Sequence, residues 1–185
     1  MTVEEAQAEN RAVFMGGLVG QVVSGILWLL SAALGTWVSR GRGIAVLCLG
    51  GILIYPVTQL VLRALGRRTG PSADNPLKHL AMQVAFTVPL GMPVVGAATL
   101  HHVNWFYPAC MVVVGAHYLP FVFLYGMRQF AVLCGLMVGG GIMLGLYLND
   151  SFSLGGWLTG ATLVVFGVLG GLRWRDEARR AHLAG

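Results

Sequence analysis

His117 is the residue of this sequence whose type and position most favour chemistry. It lies in Gly-Ala-His-Tyr-Leu-Pro-Phe, residues 115–121, in the middle of an apolar run that is long enough to cross a bilayer. Ionisable residues at that depth usually face the interior of a helix bundle and often mark a functional site. A neutral imidazole can bind a metal ion or haem, or relay a proton. The alternative is a structural histidine that is hydrogen-bonded to a neighbouring helix.

The cysteines do not complete a metal site around His117. Cys110 is seven residues earlier and can share its helix face, but a single cysteine–histidine pair is weak support for a metal. Cys48, Cys110 and Cys134 are isolated, and the sequence has no C-x-x-C. This pattern predicts three small apolar thiols rather than a disulfide framework or a cysteine zinc site. The sequence does not identify a metal or a cofactor.

Other polar side chains within apolar runs indicate where a ligand could bind. Buried amide, imidazole and hydroxyl groups need hydrogen-bond partners, and several occur in the first four runs. The predicted ligand-binding residues are Gln21, Tyr55, Gln59, Gln83, His117 and Tyr118. For any one of them, packing in the bundle core is the alternative interpretation.

Charged residues are absent from the middle third of every apolar run. Proton-coupled pumps and many ion transporters place carboxylates at that depth. The sequence also lacks G-x-S-x-G, H-E-x-x-H and the glycine-rich phosphate loop. No catalytic residue is therefore predicted, and a neutral or weakly polar ligand is favoured over an ion.

The composition predicts a membrane protein. Hydrophobic residues make up 56% of the chain and charged residues 10%, and the mean hydropathy is +0.74. Soluble domains carry about 25% charged residues, and about 20 apolar residues span a bilayer as a helix. The apolar runs lie at about 13–38, 44–65, 80–100, 103–125, 129–148 and 154–173. We therefore predict an all-α polytopic protein, with one six-helix transmembrane domain over residues 1–185 that ends in a short basic cytoplasmic tail at 174–185.

Lysine and arginine are distributed unevenly between alternate loops. One side carries Arg11, Arg63, Arg67, Arg68, Lys78, Arg128, Arg173, Arg175, Arg179 and Arg180. The other side carries only Arg40 and Arg42. Positively charged loops stay cytoplasmic, so both termini are predicted to lie inside, in a multi-pass protein of the inner (plasma) membrane.

The net charge of +5 mostly reflects this topology. Because the basic residues are divided among short loops, no nucleic-acid partner is predicted, and contact with anionic lipid at the inner leaflet is favoured. The 27 glycines include pairs spaced for close helix packing, at Gly16/Gly20, Gly135/Gly139, Gly141/Gly145, Gly156/Gly160 and Gly167/Gly171. These pairs pack helices either within one chain or between the copies of a homo-oligomer.

Prolines interrupt the second, third and fourth runs, at Pro56, Pro89, Pro93 and Pro120. An interior proline removes a helical hydrogen bond and tends to kink the helix. Broken helices near the midplane are one way in which transporters build binding sites, although membrane helices also tolerate proline without such a role.

Residues 115–128, Gly-Ala-His-Tyr-Leu-Pro-Phe-Val-Phe-Leu-Tyr-Gly-Met-Arg, resemble a segment of uncharacterised small polytopic bacterial membrane proteins. The resemblance covers mainly the fourth run. It implies no particular activity, and it indicates only that His117 to Arg128 lies at the centre of the family's pattern.

Three functions remain open on this basis. The first is a small transporter or channel for a neutral or weakly polar solute, with a polar pocket formed by the first four spans. The second is a non-catalytic membrane module that binds a lipid, a cofactor or a protein partner. The third is a haem or metal protein built on His117.

Overall fold

The helices follow the apolar runs closely. A computed structural model describes residues 1–183, which form helices and turns without a strand. The α-helices are α1 (Val3–Phe14), α2 (Leu18–Trp37), α3 (Arg40–Ala64), α4 (Lys78–His101), α5 (Phe106–Tyr118), α6 (Phe121–Tyr125), α7 (Gln129–Tyr147) and α8 (Leu154–Leu183). Single 3₁₀ turns, Met15–Gly17 and Val103–Trp105, precede α2 and α5. Residues 184–185 of the predicted tail lie outside the described residues.

Five helical stretches are long and apolar enough to cross a membrane. They are Val3–Trp37, Arg40–Ala64, Lys78–His101, Gln129–Tyr147 and Leu154–Arg180. The all-α architecture is thus confirmed, and the lengths and compositions of these helices are those of a membrane protein. The run at 103–125 differs from the expected continuous span, because it is divided between α5 and α6, each too short to cross alone.

The division of the fourth run lies at Leu119–Pro120. α5 ends at Tyr118, and α6 begins immediately after the proline. Pro120 has no N–H to donate to the preceding turn. The N–H of Leu119 bonds instead to the carbonyl of Ala116, three residues earlier, at 3.1 Å. The expected proline kink is therefore a complete break between two helices.

Two glycines in the left-handed conformation let the chain turn at one end of the bundle. Gly126 ends α6 and Gly16 separates α1 from α2, each with a φ of 65°. A Cβ on Gly126 would lie 2.6 Å from Oε1 of Gln7, and one on Gly16 would lie 2.6 Å from the carbonyl oxygen of Gly170 in α8. The positive φ favours glycine at both positions, and at Gly16 the close backbone contact requires it as well. The turn at Gly16 separates the polar helix α1 from the apolar helix α2.

The long helices pack in two groups that are joined by Tyr107. α2 lies against α3 and α8, whereas α5 lies against α4 and α7. Tyr107 of α5 is completely buried, and its hydroxyl lies 2.6 Å from Oγ of Ser31 in α2. Ser31 donates its proton to the carbonyl of Gly43 in α3 at 2.7 Å, so Tyr107 is the donor to Ser31. A Cβ on Gly156 of α8 would lie 2.7 Å from the Tyr107 ring.

Polar contacts join the helices at each of the two ends of the bundle. At one end, Glu9 of α1 accepts hydrogen bonds from the loop between α3 and α4, and Arg11 forms an ion pair with Glu177 of α8 at 3.0 Å. We call this the basic end. At the opposite end, Asn104 before α5 donates to the carbonyl of Asn149 after α7 at 2.7 Å.

Candidate functional site

A cleft separates α3 from α4. Because α3 packs along α2 and α4 packs along α5, α3 and α4 share few direct contacts. The space between them has a volume of about 380 Å³ and opens to the side of the bundle. This α3–α4 cleft is lined by Ile44, Cys48, Met92, Val95, Gly96, Thr99, Leu100 and Phe106. Its walls are almost entirely apolar, since the hydroxyl of Thr99 donates to the carbonyl of Val95 at 2.7 Å.

Gly96 leaves part of the cleft empty. Within the described residues, no atom lies within 4 Å of a Cβ built on Gly96, nor of one built on Gly51 of α3. A larger side chain at position 96 would therefore occupy the cleft without displacing its walls.

The α3 wall of the cleft continues towards the basic end. Tyr55 and Gln59 follow Ile44 after about three and four helical turns, so they lie on the same face of α3 as Ile44 and Cys48. Tyr55 is 69% exposed, whereas Gln59 is 9% exposed. This face of α3 is therefore open in its middle and covered near the basic end.

Two buried glutamines have unsatisfied amide groups. Gln21 is 3% exposed, and neither its Nε2 nor its Oε1 has a hydrogen-bond partner within residues 1–183. In that same range, both amide atoms of Gln59 also lack a partner. A buried amide without a partner costs on the order of 1–3 kcal/mol. These two amides are therefore groups that gain free energy if a polar ligand reaches them.

Gln21 lies where α2, α7 and α8 meet. Its Cβ is 3.1 Å from a Cβ built on Gly167 of α8, and its Oε1 is 3.6 Å from one built on Gly17. The Cβ built on Gly17 also lies 3.2 Å from Cζ, the tip of the Phe130 ring of α7. Phe130 stacks on Tyr118 with ring centres 6.2 Å apart. The amide oxygen of Gln21 therefore borders the aromatic cluster that fills the bend between α5 and α7.

His117 is bound to α4. Its Nδ1 is 2.8 Å from Oγ1 of Thr87, and Thr87 donates its own proton to the carbonyl of Val84 at 2.7 Å. Thr87 therefore accepts from Nδ1–H, which leaves Nε2 of the neutral ring with its lone pair. The ring also packs edge-on against Phe121, with the ring centres 5.0 Å apart. This hydrogen bond to α4 is the one that a structural histidine would make. Nε2 keeps the capacity to accept a hydrogen bond or to bind a metal.

The six predicted ligand-binding residues lie in three environments. Gln21, Gln59 and Tyr118 are buried in the bundle. His117 is half-buried, and its imidazole lies at the contact between α4 and α5. Tyr55 and Gln83 are exposed on the surfaces of α3 and α4. None of the six lines the α3–α4 cleft, and Gln21 lies between α2, α7 and α8, so the structure does not bring the six together at one site.

Helix α1 covers the broken fourth segment at the basic end. Gln7, Asn10 and Arg11 each donate a side-chain N–H to one carbonyl of α6, at 2.6, 2.9 and 2.6 Å respectively. The acceptors are the three successive residues 123–125, whose carbonyls have no following helical turn to bind. α1 therefore satisfies the last carbonyls of α6, the short helix that ends at Gly126.

Glu9 binds α1 to the loop between α3 and α4. Its carboxylate accepts from the Asn75 amide at 2.8 Å, from the N–H and hydroxyl of Ser72 at 2.9 and 3.0 Å, and from Arg68 at 3.4 Å. The hydrogen bond from Asn75 and those from Ser72 lower the pKa of Glu9 below the ordinary glutamate value, against the opposing effect of burial. The carboxylate is therefore a stabilising anion at neutral pH.

The predicted glycine pairs mostly pack helices within the chain. A Cβ on Gly141 of α7, for example, would lie 2.7 Å from the carbonyl oxygen of Pro108 in α5. Gly135 and Gly139 are different, because both are exposed and no described atom lies within 4 Å of a Cβ at either position. This pair therefore does not pack helices within the described part of the chain.

Metal-binding side chains are dispersed in the part of the chain that the structure describes. Residues 1–180 contain no group of three or more His, Cys, Asp and Glu that could hold a metal ion. A centre built on His117 would therefore have to rely on that imidazole together with donors of another kind.

The chain belongs to a family of unknown function, DUF7010, whose model matches residues 3–171. The match covers nearly the whole chain, from α1 into α8, and it confirms the resemblance to an uncharacterised family. No curated protein and no solved structure matches the chain.

Replacing either buried amide with leucine should stabilise the protein. We expect Gln21→Leu and Gln59→Leu each to raise the free energy of unfolding by about 1 kcal/mol, because an unpaired polar group is replaced by an apolar one of similar size. Unfolding by SDS in mixed micelles, followed by circular dichroism, measures the change. The exposed residue Gln83 supplies the control, and Gln83→Leu should change the stability little. A loss of stability in both core variants would mean that the two amides have partners.

Acid should weaken the contact between α1 and the loop. The pKa of Glu9 is lower in the folded than in the unfolded protein, so its contribution is present above the unfolded pKa and is lost as the pH falls through the folded one. We expect the melting temperature to stay level from pH 7 to about pH 5 and to fall below about pH 5, because an unfolded glutamate titrates at about 4.3 and the folded Glu9 titrates lower. Glu9→Gln should melt lower at pH 7 and respond less to acid. The exposed Glu4 provides a matched control, and an equal response of Glu4→Gln would contradict the assignment to Glu9.

Proposed function

We propose that this protein is a multi-pass transporter or channel of the plasma membrane for a small neutral or weakly polar solute. In this proposal the solute occupies the α3–α4 cleft and the region of the buried amides. The observation that carries it is the combination of a cleft between two weakly packed helices with the unpartnered amides of Gln21 and Gln59. A solute with a few hydrogen-bonding groups would satisfy amides that otherwise cost free energy.

The proposed topology has six crossings, with both termini in the cytoplasm. α5 and α6 together, with the turn before them, supply the fourth crossing that neither makes alone. The contacts of Glu9 with Ser72 and of Arg11 with Glu177 bring together segments whose basic residues favour the cytoplasmic side. An even number of crossings would place α1, the loop between α3 and α4 and the end of α8 on the same side of the membrane, as these two contacts require.

A neutral solute fits the distribution of charge. The apolar spans carry no Asp, Glu, Lys or Arg in their middle thirds. At the basic end, Glu9 and Arg11 already bind protein groups. An ion in the bundle would have no mobile counter-charge, whereas amide and hydroxyl groups would be matched by the glutamines.

A second candidate function is a membrane module that binds a lipid, a cofactor or a partner. The sideways opening of the cleft and its apolar walls favour this candidate, because an acyl chain could enter from the bilayer. The exposed face at Gly135 and Gly139 would support a homo-oligomer. The feature that supports the haem or metal function is the lone pair of Nε2 on His117. A colourless, metal-free preparation would reject this function.

Cysteine labelling tests the topology. In a variant without Cys48, Cys110 and Cys134, we expect Ser151→Cys at the opposite end to react with an impermeant maleimide in intact cells. Asp74→Cys at the basic end should react only after permeabilisation. Both positions are exposed, so accessibility within the fold does not distinguish them. Labelling of both in intact cells would contradict six crossings with internal termini.

Filling the cleft should block flux. We expect proteoliposomes of the wild type to shrink and re-swell with propane-1,2-diol or propionamide, which combine an apolar part with one or two hydrogen-bonding groups, faster than empty liposomes in stopped-flow light scattering. Gly96→Leu should abolish most of the increase, because the new side chain occupies the cleft. Gly139→Leu adds the same side chain on an exposed face and should retain the flux.

The outcomes of the flux experiment separate the two candidate functions. Wild-type flux equal to that of empty liposomes for both probes would reject the transport proposal. In that case, an apolar ligand retained by the wild type and lost in Gly96→Leu, detected by native mass spectrometry, would support the binding module.

A further inference from the structure

A second cavity lies at the basic end, where α1 meets the chain after α3. It has a volume of about 290 Å³ and is lined by Glu9, Ala12, Val13, Gly66, Arg67 and Arg68. One wall is the apolar side of α1, and the other carries two adjacent arginines. We call it the arginine pocket. It is separate from the α3–α4 cleft, with which it shares no lining residue.

Arg67 is held in place by an aromatic ring. Its guanidinium carbon lies 4.7 Å from the centre of the Trp174 ring of α8. Trp174 is itself packed against Met15, Val19 and Leu62, a small apolar cluster at this end of the bundle. A guanidinium on an aromatic face keeps its N–H groups available at its edge. Arg67 is therefore a positioned cation with donors for a ligand.

The acidic residue of the pocket is already engaged. The two oxygens of Glu9 accept four hydrogen bonds, which matches the acceptor capacity of a carboxylate. Glu9 therefore has no lone pair left for a ligand ammonium. Arg68 gives it a single 3.4 Å contact and is 65% exposed, so most of its donors remain available. With two arginines and one carboxylate, the pocket has a net positive charge.

The position of the pocket along α3 indicates the source of the anion. Leu60, near the end of α3, and Leu65, directly after α3, are 61% and 55% exposed. Such leucines at the end of an apolar span lie among acyl chains, and Arg67 and Arg68 follow at the level of lipid phosphates. Basic pockets between helices on the cytoplasmic side are suited to acidic head groups.

We infer that the arginine pocket binds the phosphate head group of an acidic phospholipid. Arg67 and Arg68 donate to the phosphate, Ala12 and Val13 contact the glycerol region, and the acyl chains follow α3. Because Glu9 is saturated, nothing in the pocket matches choline or ethanolamine, and an acidic head group is favoured over a zwitterionic one. The inference rests on the proposed orientation of the basic end at the inner leaflet, and it is independent of transport.

Native mass spectrometry tests the inference. The full chain is released from mixed micelles that contain equal amounts of phosphatidylglycerol and phosphatidylcholine, and the lipids retained are counted. We expect the wild type to retain phosphatidylglycerol preferentially. Arg67→Gln/Arg68→Gln should reduce this retention about tenfold, since charge-assisted hydrogen bonds to the phosphate are lost. Arg175→Gln/Arg179→Gln removes the same charge from exposed positions of α8 and should leave the retention unchanged.

Further arms separate a lipid site from a free-anion site and from attraction by net charge alone. Arg67→Lys/Arg68→Lys keeps the charge and should retain an intermediate amount of phosphatidylglycerol, which also controls for folding of the glutamine variant. Equal retention of both lipids by the wild type, or an equal loss in the α8 variant, would overturn the inference. Displacement of the lipid by millimolar inorganic phosphate would identify a free-anion site and would also overturn it. None of these results depends on solute flux. The lipid inference can therefore fail while the transport proposal stands, and the transport proposal can fail while the lipid inference stands.

Discussion

The buried hydroxyl contact between Tyr107 and Ser31 joins the two groups of helices. Interhelical hydrogen bonds in membranes average only about 0.6 kcal/mol, so the importance of this contact is geometric. It is reinforced by Trp28, whose ring lies 5.9 Å from that of Tyr107, and by the close approach of Gly156. Because α2 and α5 are joined here, α3 and α4 each pack on one side of the junction rather than on each other. The α3–α4 cleft is the space that this arrangement leaves, and Phe106, the neighbour of Tyr107, forms part of its wall.

The basic end follows from a second constraint, the end of the short helix α6 at Gly126. A carbonyl without a partner costs several kcal/mol in lipid, so the last carbonyls of this half-helix need donors. α1 supplies them through Gln7, Asn10 and Arg11, and it is positioned to do so by the turn at Gly16. The neighbouring contacts of α1 with the loop after α3 and with α8 hold it in place. The end of α6, the polar first helix and the pocket beside it are therefore parts of one arrangement.

The helices could be predicted from the sequence, but their faces could not. In water the buried face of a helix is apolar and the other is polar, whereas in lipid both faces are apolar. Gln59 and Gln83 are the same residue type in similar runs, yet one is buried and the other exposed. The division at Pro120 was expected only as a kink, and the end of α6 at Gly126 was not expected, since its carbonyls are bound by donors more than a hundred residues away. Glu9 was missed because it lies outside every apolar run.

The uneven distribution of polarity along the proposed site bears on the kind of solute. The α3–α4 cleft offers hydrocarbon walls, and in the proposed site the buried amides of Gln21 and Gln59, outside the cleft, would add two donor–acceptor pairs. A strongly hydrated solute would lose its water in the cleft without compensation, and a pure hydrocarbon would leave the amides unsatisfied. A molecule with an apolar body and one or two hydrogen-bonding groups avoids both costs. The unpaired amides, which reduce the stability of the empty bundle, would thus favour the solute class that the cleft admits.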